Sequence, residues 1–594
     1  MKNFKLELLR EYMKEMALSA FIVPSNDPHF GEYIQDHFNC RAWISGFTGS
    51  AGTVVITHKE AALWTDSRYF IQAERELEGT GIELKKLRMP GTETVEAWLQ
   101  TKLEANQSVG IDSSLFSVSE YNTLKISLNS LNIQLCNDPF MKIWDDRPLL
   151  KFGKIDVLGE EISGESTSSK HRRFVNNLEL HGNFIYLVSQ CDDIAWLCNI
   201  RGNDIPYNPL VLSYAAVTRD KIYLFVNPGA IQIQERRMLE KEGVVIMPYD
   251  TFSSFLSDFP ADSVRIAHPD KVSIKNYNSA VKGGARFFLL QSRGGVITMM
   301  KAVKNSVEAE GFRKAMQMDG IAWVKTLIHI EESIKNGEEI TEESVSEVMQ
   351  RFRAESPEYR GESFHPIVAY GANAAMPHYS PSGEPVVIGK AGFLLVDTGG
   401  HYSCGTTDTT RTLPVGPLTD EQRRDYTLIL RGMIALSMAR FPKGTRGSQL
   451  DFLARGPICS VAKLYLHGTG HGIGHYLCVH EGPQSIRMEE NPVVIEPGMV
   501  MSNEPAVYQE GEYGIRIENT IMCTSWMESR WGDFYKFETL TYIPIETSPV
   551  DKRYLPSDSL EWLNEYNAEV YNRLSPYLSE SERKWLSAKT ARLD

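Results

Sequence analysis

Between His467 and Pro483 the chain reads HGTGHGIGHYLCVHEGP, gathering four of its fourteen histidines and five glycines into seventeen residues. An imidazole can ligate a metal or carry a proton near neutral pH, so this segment is the first place to look for chemistry. Glycines at 468, 470, 472 and 474 argue against a helix, despite the i, i+4 spacing of His467, His471 and His475. In an extended conformation those three histidines share a face, and their glycine neighbours let another backbone approach closely. His480 follows five residues after His475.

Four acids sit where burial is expected. In AGFLLVDTGGHYSCGTTDTTRTLPVG an apolar run closes on Asp397, and a Thr-rich strand carries Asp408, so the segment reads as a hairpin with an acid on each arm. Arg411 falls on the opposite face of its strand from Asp408. Further on, VVIEPGMVMSNEPAVY ends a strand with Glu504. YGIRIENTIMC alternates, with Ile515 and Ile517 on one face and Arg516, Glu518 and Thr520 on the other.

A buried carboxylate is costly unless something positive compensates it. If Asp397, Asp408, Glu504 and Glu518 converge, their charges repel and raise one another's pKa values. Two divalent cations resolve this, since four carboxylates and one neutral imidazole balance them. Oxygen-rich ligation with one histidine favours Mn²⁺, Co²⁺ or Fe²⁺, with Zn²⁺ also compatible. Cys404, Cys459 and Cys478 read as small packing residues. Other chemistries lack their motifs: there is no GxxxxGK[ST] phosphate loop, no HExxH and no GxSxG elbow.

The elements that must hold these residues belong to a chain of 594 residues, too long for one hydrophobic core. Its apolar fraction of 42% and charged fraction of 23% place it among ordinary globular proteins. A net charge of −14 without any Lys/Arg block argues against nucleic acid as a partner. The N-terminal stretch has Leu6, Leu9, Met13 and Met16 at helical spacing, unlike a signal peptide, and no apolar run is long enough to cross a membrane. Eight scattered cysteines without a CxxC pair fit reduced thiols in a cytoplasmic protein.

A first α/β unit reads as a helix from Leu6 to Met16 and strands Phe21 to Val23, Thr53 to Thr57 and Ala61 to Trp64. A second opens with the strand Phe184 to Val188 and repeats the same order of features: strand, polar turn, Ala-Trp plus apolar residues, glycine-containing loop, two strands. The two units read as a distant internal repeat. A third unit opens with a long helix burying Met316, Trp323, Leu327, Ile330 and Ile334. Strands are expected to dominate from Phe393 to Ile545, with a helical tail from Pro556 to Asp594.

The ordered set Asp397, Asp408, His471, Glu504, Glu518, in VDTGGHYSCGTTDTTRT, HGTGHGIGHYLCVHEGP, SNEPAVY and GIRIEN, resembles the pita-bread metallopeptidases, and among them the three-domain aminopeptidase P family. FIVPSNDPHFGEY, RAWISGFTGSAGTVVI, LWTDSRYF and MKAVKNSVEAEGFRKAMQMDG extend the likeness over nearly the whole chain. The resemblance implies an α/β fold of two creatinase-like domains, 1–155 and 156–302, and a pita-bread catalytic domain with its helical tail, 303–594.

It implies a metal-dependent aminopeptidase that releases the N-terminal residue from peptides with proline second, using a water or hydroxide shared by two divalent metals, most often Mn²⁺. Asp397 would bind one metal, His471 and Glu504 the other, and Asp408 and Glu518 would bridge them. Glu504 would also be the general base. His378 and His480 would stabilise the tetrahedral intermediate and shuttle protons, and His467 would line the pocket for the substrate proline. Tyr508 and Arg516 would orient the ligands. The resemblance gives no role to His475, which is read as bystander or support, nor to His365 and His401, read as structural. A homodimer is implied as well. The alternatives are a prolidase restricted to Xaa-Pro dipeptides, and a relative that has lost its metals and binds partners.

Overall fold

The computed structural model describes residues 4–180, 182–290, 294–381 and 384–594. It divides into two compact units: residues 1–159 with 165–297, and residues 160–164 with 298–594.

The first unit is built on two six-stranded sheets. One runs in the order Glu83–Lys86, Ala61–Thr65, Thr53–Thr57, Ala20–Pro24, Ser108–Asp112, Asn132–Cys136. The other runs Val244–Pro248, Ile222–Val226, Tyr214–Val217, Phe184–Val188, Val264–Ala267, Phe287–Leu289. Numbered by chain order within each sheet, both are 4-3-2-1-5-6. All five pairings also match in sense: 1-2 and 2-3 are antiparallel, while 3-4, 1-5 and 5-6 are parallel. The internal repeat expected from the sequence is thus present in the topology. Its central strands, AFIVP and FIYLV, are buried at every position, which is why they read as unbroken apolar runs.

The second unit carries the long helix Ser306–Asn336, just after the short helix Val296–Ala302. Asn305 accepts from the N–H groups of Val307 and Glu308, both at 2.9 Å, and Glu308 reaches back to the Asn305 N–H. The helix stops at Gly337, whose φ of +73° only glycine adopts readily. Met316, Trp323, Leu327 and Ile330 are buried along it as expected, and Ile334 is partly so.

Strands outnumber helices from Phe393 to Ile545 as expected, but two helices, Asp420–Ser437 and Gly447–Cys459, interrupt them. The first has a signature that was there to read: Thr419 and Gln422 form a capping box, and Tyr426, Ile429, Leu430, Met433 and Ile434 recur at helical spacing and are buried. The strands form a three-stranded antiparallel sheet of Ile367–Tyr370, Phe393–Thr398 and Thr409–Pro414. A six-stranded sheet follows the order Arg440–Pro442, Gly532–Thr539, Asn519–Ser529, Val500–Asn503, Gly470–Gly472, Glu481–Ile486, and a separate hairpin pairs Ala506–Gln509 with Tyr513–Arg516.

The tail is helical over Ser557–Leu574 and Glu580–Lys589, and it packs on this unit. Tyr566 donates to the Ile543 carbonyl at 2.7 Å and stacks on Trp562. Among the described residues no helix is long and apolar enough to cross a membrane.

Candidate active site

Each acid stands at the end of a strand of the second unit, where backbone direction changes. Asp397 lies in Phe393–Thr398, opposite Thr410. Asp408 directly precedes Thr409–Pro414, Glu504 follows Val500–Asn503, and Glu518 fills the break between Tyr513–Arg516 and Asn519–Ser529. The single alternating strand expected through Arg516 and Glu518 is therefore two strands in different sheets. At the break the Glu518 N–H donates to the Thr410 carbonyl at 3.1 Å. The expected Asp397–Asp408 hairpin is likewise split, because Gly400–Tyr402 and Gly405–Thr406 form a ladder of their own at its tip.

The glycine segment is a short strand only at Gly470–Gly472. A Cβ on Gly470 would lie 2.1 Å from the Ser502 carbonyl oxygen, so glycine is what lets this strand lie against Val500–Asn503. His471 N–H donates to Ser502 Oγ at 3.0 Å, and the Glu504 N–H donates to the Thr469 carbonyl at 2.8 Å. Imidazole and carboxylate are thereby set side by side.

His471 Nε2 lies 3.4 Å from Asp408 Oδ2 and 3.5 Å from Glu504 Oε1. Its Nδ1 is 3.0 Å from the Gly472 carbonyl, which can only accept. The ring hydrogen of neutral His471 is therefore on Nδ1, and the lone pair of Nε2 faces the acids. One donor atom each from Asp408, His471 and Glu518 lie within 4.8 Å of one another. Asp397 Oδ1 is buried without a hydrogen-bond partner, while its Oδ2 accepts from Arg516.

Three buried carboxylates and the half-buried Glu504 thus face one guanidinium and one imidazole. Burial pushes Glu504 up to about 7, with Asp408 and Asp397 adding to the rise against His471 and Arg516. Burial and the charges of Asp408 and Asp397 push Glu518 well above the usual carboxylate range. Asp397 is raised by burial despite Arg516. His471 is pulled down by burial, but the hydrogen bond to Asp408 and the charge of Glu504 outweigh this and hold it at about 9. These groups crowd negative charge around a small space with an unused buried oxygen and, once His471 gives up its Nε2 proton, an inward lone pair. That donor set suits a pair of divalent cations.

The remaining histidines divide by neighbour. His467 Nδ1 faces the Gly468 carbonyl at 2.7 Å, so its Nε2, 2.9 Å from the Tyr508 oxygen, accepts the tyrosine proton when the ring is neutral. Burial holds Tyr508 protonated, pushed up to about 12, and its oxygen accepts from Arg516 at 2.6 Å. His480 stands edge-on to the His471 ring with centroids 4.5 Å apart. Next to it, Glu481 is buried against Lys304 at 2.5 Å and Lys301 at 3.4 Å.

His475 does not share the face of His467 and His471, because the chain turns after Gly474 and Tyr476 takes a φ of +46°. His475 is buried against the long helix instead, beside Gly311 and the Phe312 ring. His401 bonds Thr406 at 3.0 Å, and His365 lies on the surface. His378 is half-buried just past the turn Gly371–Ala375. That turn packs on the Tyr508/Arg516 hairpin, where a Cβ on Gly514 would lie 1.8 Å from the Ala374 oxygen.

Two supports were missed from sequence. Thr410, the strand partner of Asp397, donates to Glu518 Oε2 at 2.8 Å and accepts from Arg516 Nε at 3.1 Å, so it ties both to that strand pair. Its place two residues from Asp408, on the same strand face, was a readable signal. Asp451 and Arg455, an i, i+4 pair on Gly447–Cys459, hold Thr469 and the His467 carbonyl, and nothing local to their helix announced that.

Residues 310–525 match metallopeptidase family M24 and 533–593 the C-terminal region of peptidase M24. Residues 5–140 and 146–308 each match a creatinase/prolidase N-terminal domain. The chain is 35% identical to Xaa-Pro aminopeptidase 1 of Dictyostelium discoideum, over 98% of this chain and 94% of that one. It is 34% identical to aminopeptidase P2 of Arabidopsis thaliana, over 98% and 87%. Among solved structures it is similar to X-prolyl aminopeptidase from Caenorhabditis elegans, described as a cytosolic enzyme with a di-nuclear active site, at a TM-score of 0.95, 32% identity and 99% of both chains. The prolidase of Pyrococcus horikoshii shares the fold at a TM-score of 0.50 and 21% identity, over 64% of this chain and 99% of that one.

Proposed function

Since the chain belongs to the Xaa-Pro aminopeptidase P family of M24 metallopeptidases, we propose that the acid and histidine cluster is where it cleaves its substrates. The protein is a metal-dependent aminopeptidase that releases the N-terminal residue from peptides with proline in second position. Its fold is α/β, with two creatinase-like domains ahead of a pita-bread catalytic domain. The observation that carries the site assignment is the meeting of Asp408, His471 and Glu518 within 4.8 Å, with Asp397 and Glu504 at their flanks.

Two divalent cations, when bound, polarise the scissile carbonyl and lower the pKa of the attacking water. Asp397, Asp408, His471, Glu504 and Glu518 would hold them, with Asp397 on the side of one cation, His471 and Glu504 on the side of the other, and Asp408 and Glu518 serving both. Mn²⁺ is the proposed metal, with Co²⁺ or Zn²⁺ as the alternatives for so oxygen-rich a set. Glu504, beside His471 at 3.5 Å, takes the proton of the attacking water. His480 and His378 donate to the developing oxyanion and pass protons to the departing proline nitrogen, which carries no hydrogen of its own in the peptide. His467, fixed by Tyr508, lines the pocket for the proline ring. Arg516 holds Asp397 and Tyr508 in place.

We place domain boundaries at 155/156 and 302/303; the matched sheets and the family matches at 5–140, 146–308 and 310–525 support three parts. A cytoplasmic location is supported by eight cysteines, none of them in a disulfide. A homodimer is supported by large apolar side chains exposed at Phe452, Leu453, Leu464, Leu466 and Met488, on and near one helix.

The test uses the metal-stripped protein, reloaded with Mn²⁺, on Arg-Pro-Pro and on Arg-Pro, with free arginine as readout. Metal-dependent release from the tripeptide is expected. Release from the dipeptide alone would mean a prolidase, and silence on both would overturn the enzymatic reading of the site.

A further inference from the structure

The segment that carries His378 is tied down by a carboxylate that no step of the reaction uses. Glu342, the first residue of the helix Glu342–Arg353, has no solvent exposure. Its Oε1 accepts from the Tyr370 backbone N–H at 2.6 Å and from the Asn373 amide at 3.1 Å. Its Oε2 accepts from the Tyr379 hydroxyl at 2.7 Å and lies 3.4 Å from the same amide, which also donates to the Tyr379 oxygen at 3.0 Å.

These donors come from the end of the strand Ile367–Tyr370, from the turn Gly371–Ala375, and from the residue directly after His378. One carboxylate therefore closes the loop on both sides of the histidine. The turn's other side is set by the close approach of Gly514, in the strand that ends at Arg516. Burial pushes the Glu342 carboxyl above its ordinary range, while the bonds from Tyr370, Tyr379 and Asn373 pull it back. A carboxylate accepts on both oxygens. A glutamine offers only one acceptor oxygen: with its NH2 toward the Tyr370 N–H two donors clash, and with its NH2 toward Tyr379 the hydroxyl loses its acceptor and must turn.

We infer that Glu342 is a positioning residue for His378: by gathering Tyr370, Asn373 and Tyr379 onto one carboxylate, it sets where that imidazole stands over the reacting centre. This rests on the role proposed for His378. The Glu342 carboxylate is bonded to Tyr370, Asn373 and Tyr379, so it acts on turnover through the loop.

The experiment is a double-mutant cycle on the full-length, Mn²⁺-loaded protein with Arg-Pro-Pro as substrate. Glu342→Gln should lower kcat about tenfold and Tyr379→Phe about threefold, with KM within about twofold. In a His378→Ala background the same changes should cost less than about twofold in kcat, because the residue they position is gone. An equal loss in both backgrounds would make Glu342 a scaffold residue and overturn the inference, as would an unchanged kcat in Glu342→Gln while His378→Ala is impaired. If His378→Ala itself turns over normally, the role of His378 fails and the positioning role falls with it. Should Glu342→Gln not fold, Tyr379→Phe, which loses only one hydroxyl, decides the cycle.

Discussion

Arg516 and Asp397 face each other from different sheets: the guanidinium occupies one carboxylate oxygen and leaves the other, buried, with no hydrogen-bond partner. The arginine thus orients the acid without using up its ligand atom. Three directions of contact, to Asp397, Tyr508 and Thr410, leave from one planar group, which a lysine cannot reproduce. Removing one partner of a buried ion pair costs on the order of 3 kcal/mol or more. Arg516→Ala should therefore destabilise the metal-free protein by about that amount, and less with Mn²⁺, which takes over the neutralisation. Urea unfolding with and without metal measures this. An equal loss in both states would assign the arginine to packing alone.

Glu504→Gln keeps the shape of the side chain but cannot take a proton. The variant should fold normally and lose about 10²-fold or more in kcat. Near-normal turnover, with metal content checked alongside, would refute its role as base.

His480 touches the His471 ring edge-on and makes no strand pairing of its own. His480→Ala should lower kcat while KM stays within about twofold, as for a group whose contribution rises in the transition state. A change confined to KM would move His480 from proton transfer to substrate binding.

Metal loading should oppose acid. In the metal-free site Glu504 is pushed up to about 7, Glu518 is raised well above its usual range, and His471 is held at about 9. A cation needs the carboxylates ionised and the imidazole neutral, so binding expels protons, and lowering the pH pushes the equilibrium back. Calorimetry in buffers of different ionisation enthalpy should show proton release on Mn²⁺ binding. Affinity should fall about tenfold per pH unit for each proton released, between roughly pH 8 and 6. Affinity that rises on acidification would exclude these residues as the ligands.

His475 provides the negative control within the same segment. It packs beside Gly311 rather than facing the acids. His475→Leu should shift stability by about 1 to 2 kcal/mol while leaving kcat/KM of the folded protein within about twofold. A selective loss of turnover would place it in the site after all.

The legibility of this molecule followed the range of the forces involved. Strands such as Phe184–Val188 and Thr53–Thr57 matched their sequence reading residue for residue, since burial on both faces writes an apolar run into the chain. The acids were legible because an ionisable residue closing an apolar run is out of place unless paired. The helix Asp420–Ser437 was overlooked although its capping box and spacing were local signals. The rest was out of reach for a different reason. The turn that sends His475 away depends on a helix more than a hundred residues earlier, and Glu342 meets Tyr379 only once a sheet has brought them together. Neither contact leaves a mark in the residues beside it.

Glu518 reaches its place only when Asn519–Ser529 has paired with Val500–Asn503 on one side and Gly532–Thr539 on the other. A polypeptide leaving the ribosome therefore has no complete site until the hairpin beyond Glu518 has emerged and folded, and until then it carries a set of mutually repelling acids without their last member. Domains fold as units, so an early cation would find no cage to stay in. The last ligand of the cage is therefore set by pairing that runs on to Thr539, more than twenty residues beyond the first strand it joins.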